Sequence, residues 1–322
     1  MAYYLGIDGG GSKTTCAVGD EFAVLASAVS GPSNITRVGE NGAREALHQA
    51  ITGACRSAMI DPRELQCSCI GAAGAGRKEI NGIVQKIVAE VIPGKIEVVG
   101  DMEIALQAAF GSGPGVIVIG GTGSIAFGRN ANGKTARAGG WGFAVSDEGS
   151  AHWIGRASVA AVLRMVDESE QDLSPVDRTT KPFSRLFDEM KSIWEVKSFE
   201  QLARSANANG GFAALLPAVL AADLAGDELA RSILMQAGGE LARLASLVVG
   251  RLFSDTHYDV PVAMVGGVFR YAPMVREVFY NQLRTAHPQV ILNPEVIEPV
   301  HGALQLARRS ASLAASSRKS PS

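Results

Sequence analysis

At 322 residues the chain is too long for one ordinary core and suits two lobes of roughly 100 to 200 residues each. With 47% apolar and 19% charged residues it can bury large cores, which excludes a disordered chain. Its formal charge of −2 supplies no broad basic field, so no nucleic-acid partner is expected and a small-molecule substrate fits better.

Tyr3 to Asp8 reads as a short strand, Gly9-Gly10-Gly11-Ser12 as a turn, and Thr14 to Val18 with Phe22 to Val29 as two further strands. Ala43, Ala46, Leu47, Ala50, Ile51, Ala54 and Ala58 recur at helical spacing and predict a helix ending near Met59. Leu65 to Ala72 is a buried strand, and a Gly-Ala loop runs from Ala72 to Gly76. Ile80 to Val91 then reads as an amphipathic helix, Ile96 to Val99 as a strand and Met102 to Phe110 as a helix. The breaker cluster Gly111-Ser112-Gly113-Pro114-Gly115 marks a boundary, giving an N-terminal lobe over 1–113.

Beyond it, Val116 to Ile119, the turn Gly120-Gly121-Thr122-Gly123-Ser124 and Ile125 to Arg129 repeat the opening order, which suggests an internal duplication. A C-terminal lobe over 114–299 follows, with a helical insertion at about 150–250. Strand Val262 to Val265, loop Gly266-Gly267, a helix around Met274 to Ala286 and strand Val290 to Leu292 complete it. A last helix, about 300–315, is expected to pack back on the N-terminal lobe, and 316–322 to fray. The helix Leu234 to Leu252 suits a core or a dimer face, so a homodimer stays open.

The longest apolar runs, such as Gly115 to Gly121 and Ala242 to Gly250, are shorter than the ~20 residues that span a bilayer. Met1 to Asp8 lacks the basic stretch of a signal peptide, so a cytoplasmic protein without a membrane partner is expected. Cys16, Cys55, Cys67 and Cys69 imply no disulfide framework, and no Cys or His pair completes a zinc site around Cys67 and Cys69. His48, His152, His257, His287 and His301 show no metal-ligand spacing and read as structural.

Glycine turns between strands let backbone N–H groups approach an anion, because no Cβ intervenes and positive φ is allowed. A tight hairpin also favours glycine, so Asp8-Gly9-Gly10-Gly11-Ser12-Lys13-Thr14 alone decides little. Its pairing with Gly121-Thr122-Gly123-Ser124 favours phosphate binding, with both turns gripping one polyphosphate. A strand follows the first glycines, unlike a dinucleotide-binding turn, and no GxxxxGK[ST] sequence is present.

Five segments in order resemble the actin, heat-shock chaperone and sugar kinase superfamily: Leu5 to Thr14, Cys69 to Gly76, Val118 to Ser124, Val262 to Gly267 and His301 to Arg308. Gly139-Gly140-Trp141-Gly142 and Asp147-Glu148-Gly149-Ser150-Ala151 are similar to the signature of N-acetylglucosamine kinases, among the BadF-BadG-BcrA-BcrD-type ATPases. The resemblance implies an α/β fold of two actin-like (ribonuclease H-like) lobes around a nucleotide cleft, the C-terminal lobe carrying extra helices. It implies ATP and Mg²⁺ as cofactors and transfer of the γ-phosphoryl group to the 6-hydroxyl of an amino sugar, N-acetylglucosamine first. Glucosamine and N-acetylmuramic acid are alternative acceptors. An activator-type ATPase driving a partner protein is another reading, although related activators carry cluster-binding cysteines and none lies beyond Cys69 here.

On this resemblance Asp101 is the catalytic base, with helix N-cap as its ordinary role. Asp8 faces magnesium, and Gly10, Gly11, Ser12, Lys13, Thr14 and Thr122 face the phosphates. Asn34, Ser124, Gly140, Trp141, Gly142 and Asp147, with Asp101, meet the sugar, while Gly266 and Gly267 support adenosine. Trp141 could equally pack in a core and Asn34 serve an ordinary turn.

Overall fold

The computed structural model describes residues 2–75, 77–168, 184–209, 211–254 and 258–317. Gly76, His257 and the 318–322 part of the expected frayed tail lie outside them. The chain forms two compact units, Met1–Ile117 with Ile297–Ser322, and Val118–Val296.

In unit 1, β1 (Tyr3–Gly9), β2 (Thr14–Gly19), β3 (Val24–Ser30), β4 (Leu65–Ala72) and β5 (Lys95–Gly100) form one sheet in the order β3-β2-β1-β4-β5. The β1-β2 and β2-β3 pairs are antiparallel, while β1, β4 and β5 run parallel. Parallel pairing brings the C-terminal ends of β1, β4 and β5 to one edge, with Asp8 opposite Gly71 and Gly71 opposite Val99.

Side chains alternate across this sheet. Leu5 and Ile7 join a core with Leu47 and Ile51 of α1 (Ile35–Ala58) and Val84 and Ile87 of α2 (Lys78–Ala89). Each such fully buried aliphatic side chain contributes about 1.5–3 kcal/mol. Helix α1 is kinked at Gly39, whose φ of 71° and ψ of 176° interrupt the helix near its start. On the opposite face, Tyr4, Cys67 and Cys69 pack with Ile104 of α3 (Asp101–Phe110) and with Val300, Ala303 and Leu304 of α11 (Pro299–Ser317). That face is built on close approach. A Cβ on Gly6 would lie 2.4 Å from the Leu304 backbone nitrogen, and one on Gly302 2.0 Å from the Ile104 carbonyl oxygen.

In unit 2 the sheet order is β10-β9-β6-β7-β8, from β6 (Gly115–Gly120), β7 (Ser124–Arg129), β8 (Thr135–Gly139), β9 (Val260–Val265) and β10 (Val290–Ile297). Taken from β8, the sheet runs third, second, first, fourth, fifth by position in the chain, as in unit 1. Between β8 and β9 lie α4 (Ala151–Glu168), α5 (Arg185–Trp194), α6 (Phe199–Asn209), α7 (Leu216–Leu224) and α8 (Glu228–Phe253). Helices α9 (Gly267–Tyr271) and α10 (Pro273–Ala286) follow β9. By length and apolarity α8 passes as a membrane span, but 56% of that window is buried within the protein, and α8 packs on α10, β7 and β8.

Two strands depart from the sequence expectation. β8 has little apolar alternation and exists by antiparallel pairing with β7. β10 continues past Leu292 through Pro294, which is tolerated because β10 is an edge strand and needs no donor there.

Candidate functional site

The first glycine turn closes through Gly10 N–H donating to the Lys13 carbonyl at 3.0 Å. None of Gly9, Gly10 and Gly11 adopts positive φ, so the turn needs glycine for room rather than for left-handed backbone. A Cβ on Gly9 would lie 2.9 Å from Ser33 Oγ, and one on Gly10 2.9 Å from the Lys13 carbonyl oxygen. Ser33 N–H donates to the Gly10 carbonyl at 3.2 Å, and Arg37 Nη1 donates to the Gly11 carbonyl at 2.9 Å.

Thr14, expected beside the phosphates, is fully buried, and its Oγ1 lies 2.8 Å from both the Gly31 carbonyl and Ser33 Oγ. Its hydroxyl therefore anchors the turn to the 31–33 segment, whereas Ser12 and Lys13 are exposed at the tip. Asn34 is the N-cap of α1 and accepts from Thr36 N–H at 3.1 Å, the ordinary helix-start role of Asn. Neither the Ser33 nor the Arg37 contact is readable from spacing, although Ser33 sits beside Asn34 in the chain.

Asp101 is the first residue of α3, whose N-cap is Gly100, so the cap role expected from its type falls to its neighbour. Its Oδ1 accepts from Met102 N–H at 2.9 Å. Burial raises its pKa above the ordinary carboxylate value, against the lowering effect of its backbone N–H bonds. Asp8 lies next to the end of β1, on the sheet face that carries Gly6, the α3 and α11 face. Its pKa is pushed up to about 7, by burial first and then by the neighbouring Asp101 charge, with Lys13 pulling the other way. Two half-buried carboxylates that resist joint ionisation thus share one edge of the unit 1 sheet with a lysine close by.

In unit 2 the turn after β6 is tied to the start of α4. Ala151 N–H donates to the Gly121 carbonyl at 2.9 Å and His152 N–H to the Thr122 carbonyl at 3.3 Å. Ser124 is buried and its Oγ donates to the Glu148 carbonyl at 2.7 Å. Asp147 carries most of this arrangement. It is 7% exposed, has φ of 66°, and accepts from the backbone N–H groups of Ser124 and Gly142. Burial raises its pKa and those two bonds oppose the rise. A side chain expected to face a sugar is thus engaged in joining the 121–124 turn to the 140–142 segment.

Gly139, Gly140 and Gly142 all have positive φ, 75°, 70° and 103°, which explains the glycines around Trp141. Trp141 is 70% exposed, outside any core, with the Arg137 guanidinium 4.3 Å from its ring centre. Gly266 has φ of 100° and sits where a Cβ would lie 2.5 Å from the Gly120 carbonyl oxygen, so the end of β9 closes against the end of β6. Gly267 follows as the first residue of α9. Asp8 and Asp101 are therefore gathered within unit 1, and Thr122, Ser124, Asp147, the 140–142 glycines and Gly266 within unit 2.

A profile of the BadF/BadG/BcrA/BcrD ATPase family matches residues 5–307. The chain is 32% identical over 314 residues to the N-acetylmuramic acid/N-acetylglucosamine kinase of Clostridium acetobutylicum, covering 96% of this chain and 99% of that one. It is 28% identical over 318 residues to the N-acetyl-D-glucosamine kinase of Dictyostelium discoideum, with coverage of 95% and 98%. A crystal structure from Chromobacterium violaceum, provisionally designated an N-acetylglucosamine kinase, superposes with a TM-score of 0.73 at 24% identity, over 95% of this chain and 99% of that one. The shared fold is the actin-like one, two five-stranded sheets with flanking helices.

Proposed function

Because the chain belongs to the BadF/BadG/BcrA/BcrD ATPase family, we propose that it is an ATP-dependent kinase that phosphorylates amino sugars. N-acetylglucosamine is the first candidate acceptor and its 6-hydroxyl the site of transfer, with glucosamine and N-acetylmuramic acid as alternatives. The observation that carries the reading is Asp101, a half-buried carboxylate of raised pKa at the C-terminal ends of the parallel strands β1, β4 and β5, two strands from Asp8.

A carboxylate with elevated pKa is a better proton acceptor near neutral pH than an exposed one. Asp101 takes the proton of the sugar hydroxyl as its oxygen bonds to the γ-phosphorus, the bond from that phosphorus to the bridging oxygen breaks, and ADP leaves with the electron pair. Exposed Ser12 and Lys13 and the backbone of the 9–13 turn suit the phosphates, and the 121–124 turn is the corresponding element of unit 2. Thr14, Ser124 and Asp147 act as positioning residues, because their polar atoms are engaged within the protein. Trp141 and the glycines beside it form an exposed segment whose indole and open backbone suit a sugar.

Magnesium, which binds through one or two carboxylates plus water and phosphate oxygens, suits Asp8, a hard carboxylate at this edge that would hold it while Asp101 stays free as the base. When bound, the ion neutralises charge on the transferred group. The cysteines favour a kinase over a cluster-bearing activator, since Cys16, Cys55, Cys67 and Cys69 are all buried, and burial pushes the Cys55 thiol up to about 11. We place the protein in the cytoplasm, with ATP. An ADP-release assay over N-acetylglucosamine, glucosamine, N-acetylmuramic acid and glucose tests the proposal. Strong stimulation by an amino sugar is expected, and ATP hydrolysis indifferent to every sugar would sink it.

A further inference from the structure

Unit 2 holds an open cavity of about 360 Å³ between β8, the 141–148 segment and α8, a volume within the range of small-molecule sites. Its lining is chemically one-sided. Arg137 comes from β8, Arg243 and Arg251 from α8, and Glu148 is the one carboxylate among the lining residues. Leu244, Leu247 and the Trp141 indole supply an apolar wall.

Two of the arginines are held without a carboxylate. Arg137 stacks its guanidinium 4.3 Å from the Trp141 ring centre. Arg251 Nη1 donates to the Arg137 backbone carbonyl at 2.5 Å. Among the described residues neither is in an ion pair, whereas Arg243 is paired with Glu240 at 2.8 Å. Two guanidinium groups lining one cavity repel each other, and each keeps fork donors that match a planar or tetrahedral oxyanion in two-point geometry. The cavity wall includes part of the candidate acceptor segment, because Trp141 lines it.

We propose that this cavity receives the oxyanion of an acidic amino sugar, held by Arg137 and Arg251, with the apolar part of that substituent against Trp141 and Leu247. The inference rests on the amino-sugar kinase reading for the sugar itself, and on the arginines for the anion. A carboxylate on the acceptor and a phosphate on the product share this chemistry.

The test is calorimetric titration of the full chain with N-acetylglucosamine, N-acetylmuramic acid, an N-acetylglucosamine phosphate and inorganic phosphate. It is run on the wild type and on Arg137→Gln, Arg251→Gln and Arg251→Lys. An anionic amino sugar should bind about 10-fold or more tightly than the neutral one. That ratio should fall about 10-fold in either glutamine variant, less in Arg251→Lys, and shrink as salt is raised. Preference for N-acetylmuramic acid makes the cavity an acceptor site, and preference for the sugar phosphate makes it a product site. No preference for either anion over the neutral sugar, a preference that survives both glutamine replacements, or inorganic phosphate binding as well as the anionic sugars overturns the proposal. ADP release with each sugar is measured in parallel. If no sugar stimulates it, the kinase reading falls, while the binding ratios still decide the cavity.

Discussion

The two units answer one structural problem, a glycine turn between a first and a second strand, with different chemistry. In unit 1 the 9–14 turn is fixed without a carboxylate, by the Thr14 and Ser33 hydroxyls, the Gly31 and Gly10 carbonyls and the Arg37 guanidinium on the Gly11 carbonyl. In unit 2 the 121–124 turn is held, beside its backbone bonds to the start of α4, by a carboxylate, Asp147, in left-handed backbone where it receives two N–H groups. Unit 1 instead places its carboxylates, Asp8 and Asp101, at the open edge of the sheet. The same strand order therefore does not dictate where charge is used. One unit spends it on holding a loop, the other keeps it for an edge where chemistry can occur.

The largest effect should come from the carboxylate assigned to the chemistry, Asp101. Asp101→Asn should lower amino-sugar turnover by about 10²- to 10⁴-fold while ATP affinity, measured by titration, stays within about threefold. An equal loss of ATP affinity would assign Asp101 to the nucleotide instead. Next, Asp147→Ala should cost about 3 kcal/mol of stability, from two bonds to a charged acceptor and the left-handed backbone that Ala tolerates poorly. Asp147→Asn should cost clearly less, because Asn accepts that backbone. Denaturant unfolding of both variants measures the gap, and equal costs would remove the contrast drawn between the units.

Thr14→Val keeps shape and removes the hydroxyl, so it should cost about 1–2 kcal/mol, with a similar loss across pH because no ionisable group is involved. The smallest expected effect has the opposite sign. The folded Asp8 titrates at about 7 against an ordinary value of 3.8, so its contribution to stability is greatest in acid and is lost as pH rises toward 7. Asp8→Asn should therefore raise the melting temperature by about 2–4 °C at pH 8 and by less at pH 5, read in thermal melts without metal or nucleotide. A gain that does not grow with pH would show that burial of the Asp8 charge is relieved in some other way.

Much of this was legible in the sequence where a periodic or local rule applies. The helical spacing from Ala43 to Ala58 marks the buried face of α1, and both glycine turns stand between strands. What the chain could not announce is how polar atoms are partnered across long separations. Thr14 looks like a phosphate contact until its distance to Gly31 is known. Asp147 looks like a ligand group until its backbone partners are seen. The arginine cavity draws on residues 137 and 251, which only the packing of β8 beside α8 brings together. Trp141 inverts the usual expectation for tryptophan, because three left-handed glycines surround it and its ring stacks on a guanidinium instead of entering a core.

Helix α11 has a consequence for how the protein is made. It covers the face of the unit 1 sheet that carries Tyr4, Cys67 and Cys69, and it fits there only because Gly6 and Gly302 are bare. On the ribosome, residues 299–307 emerge after all of unit 2, so that greasy face waits uncovered for the whole interval. Unit 2, being contiguous, can mature first, and nascent chains halted before residue 299 should be the ones that chaperones hold longest.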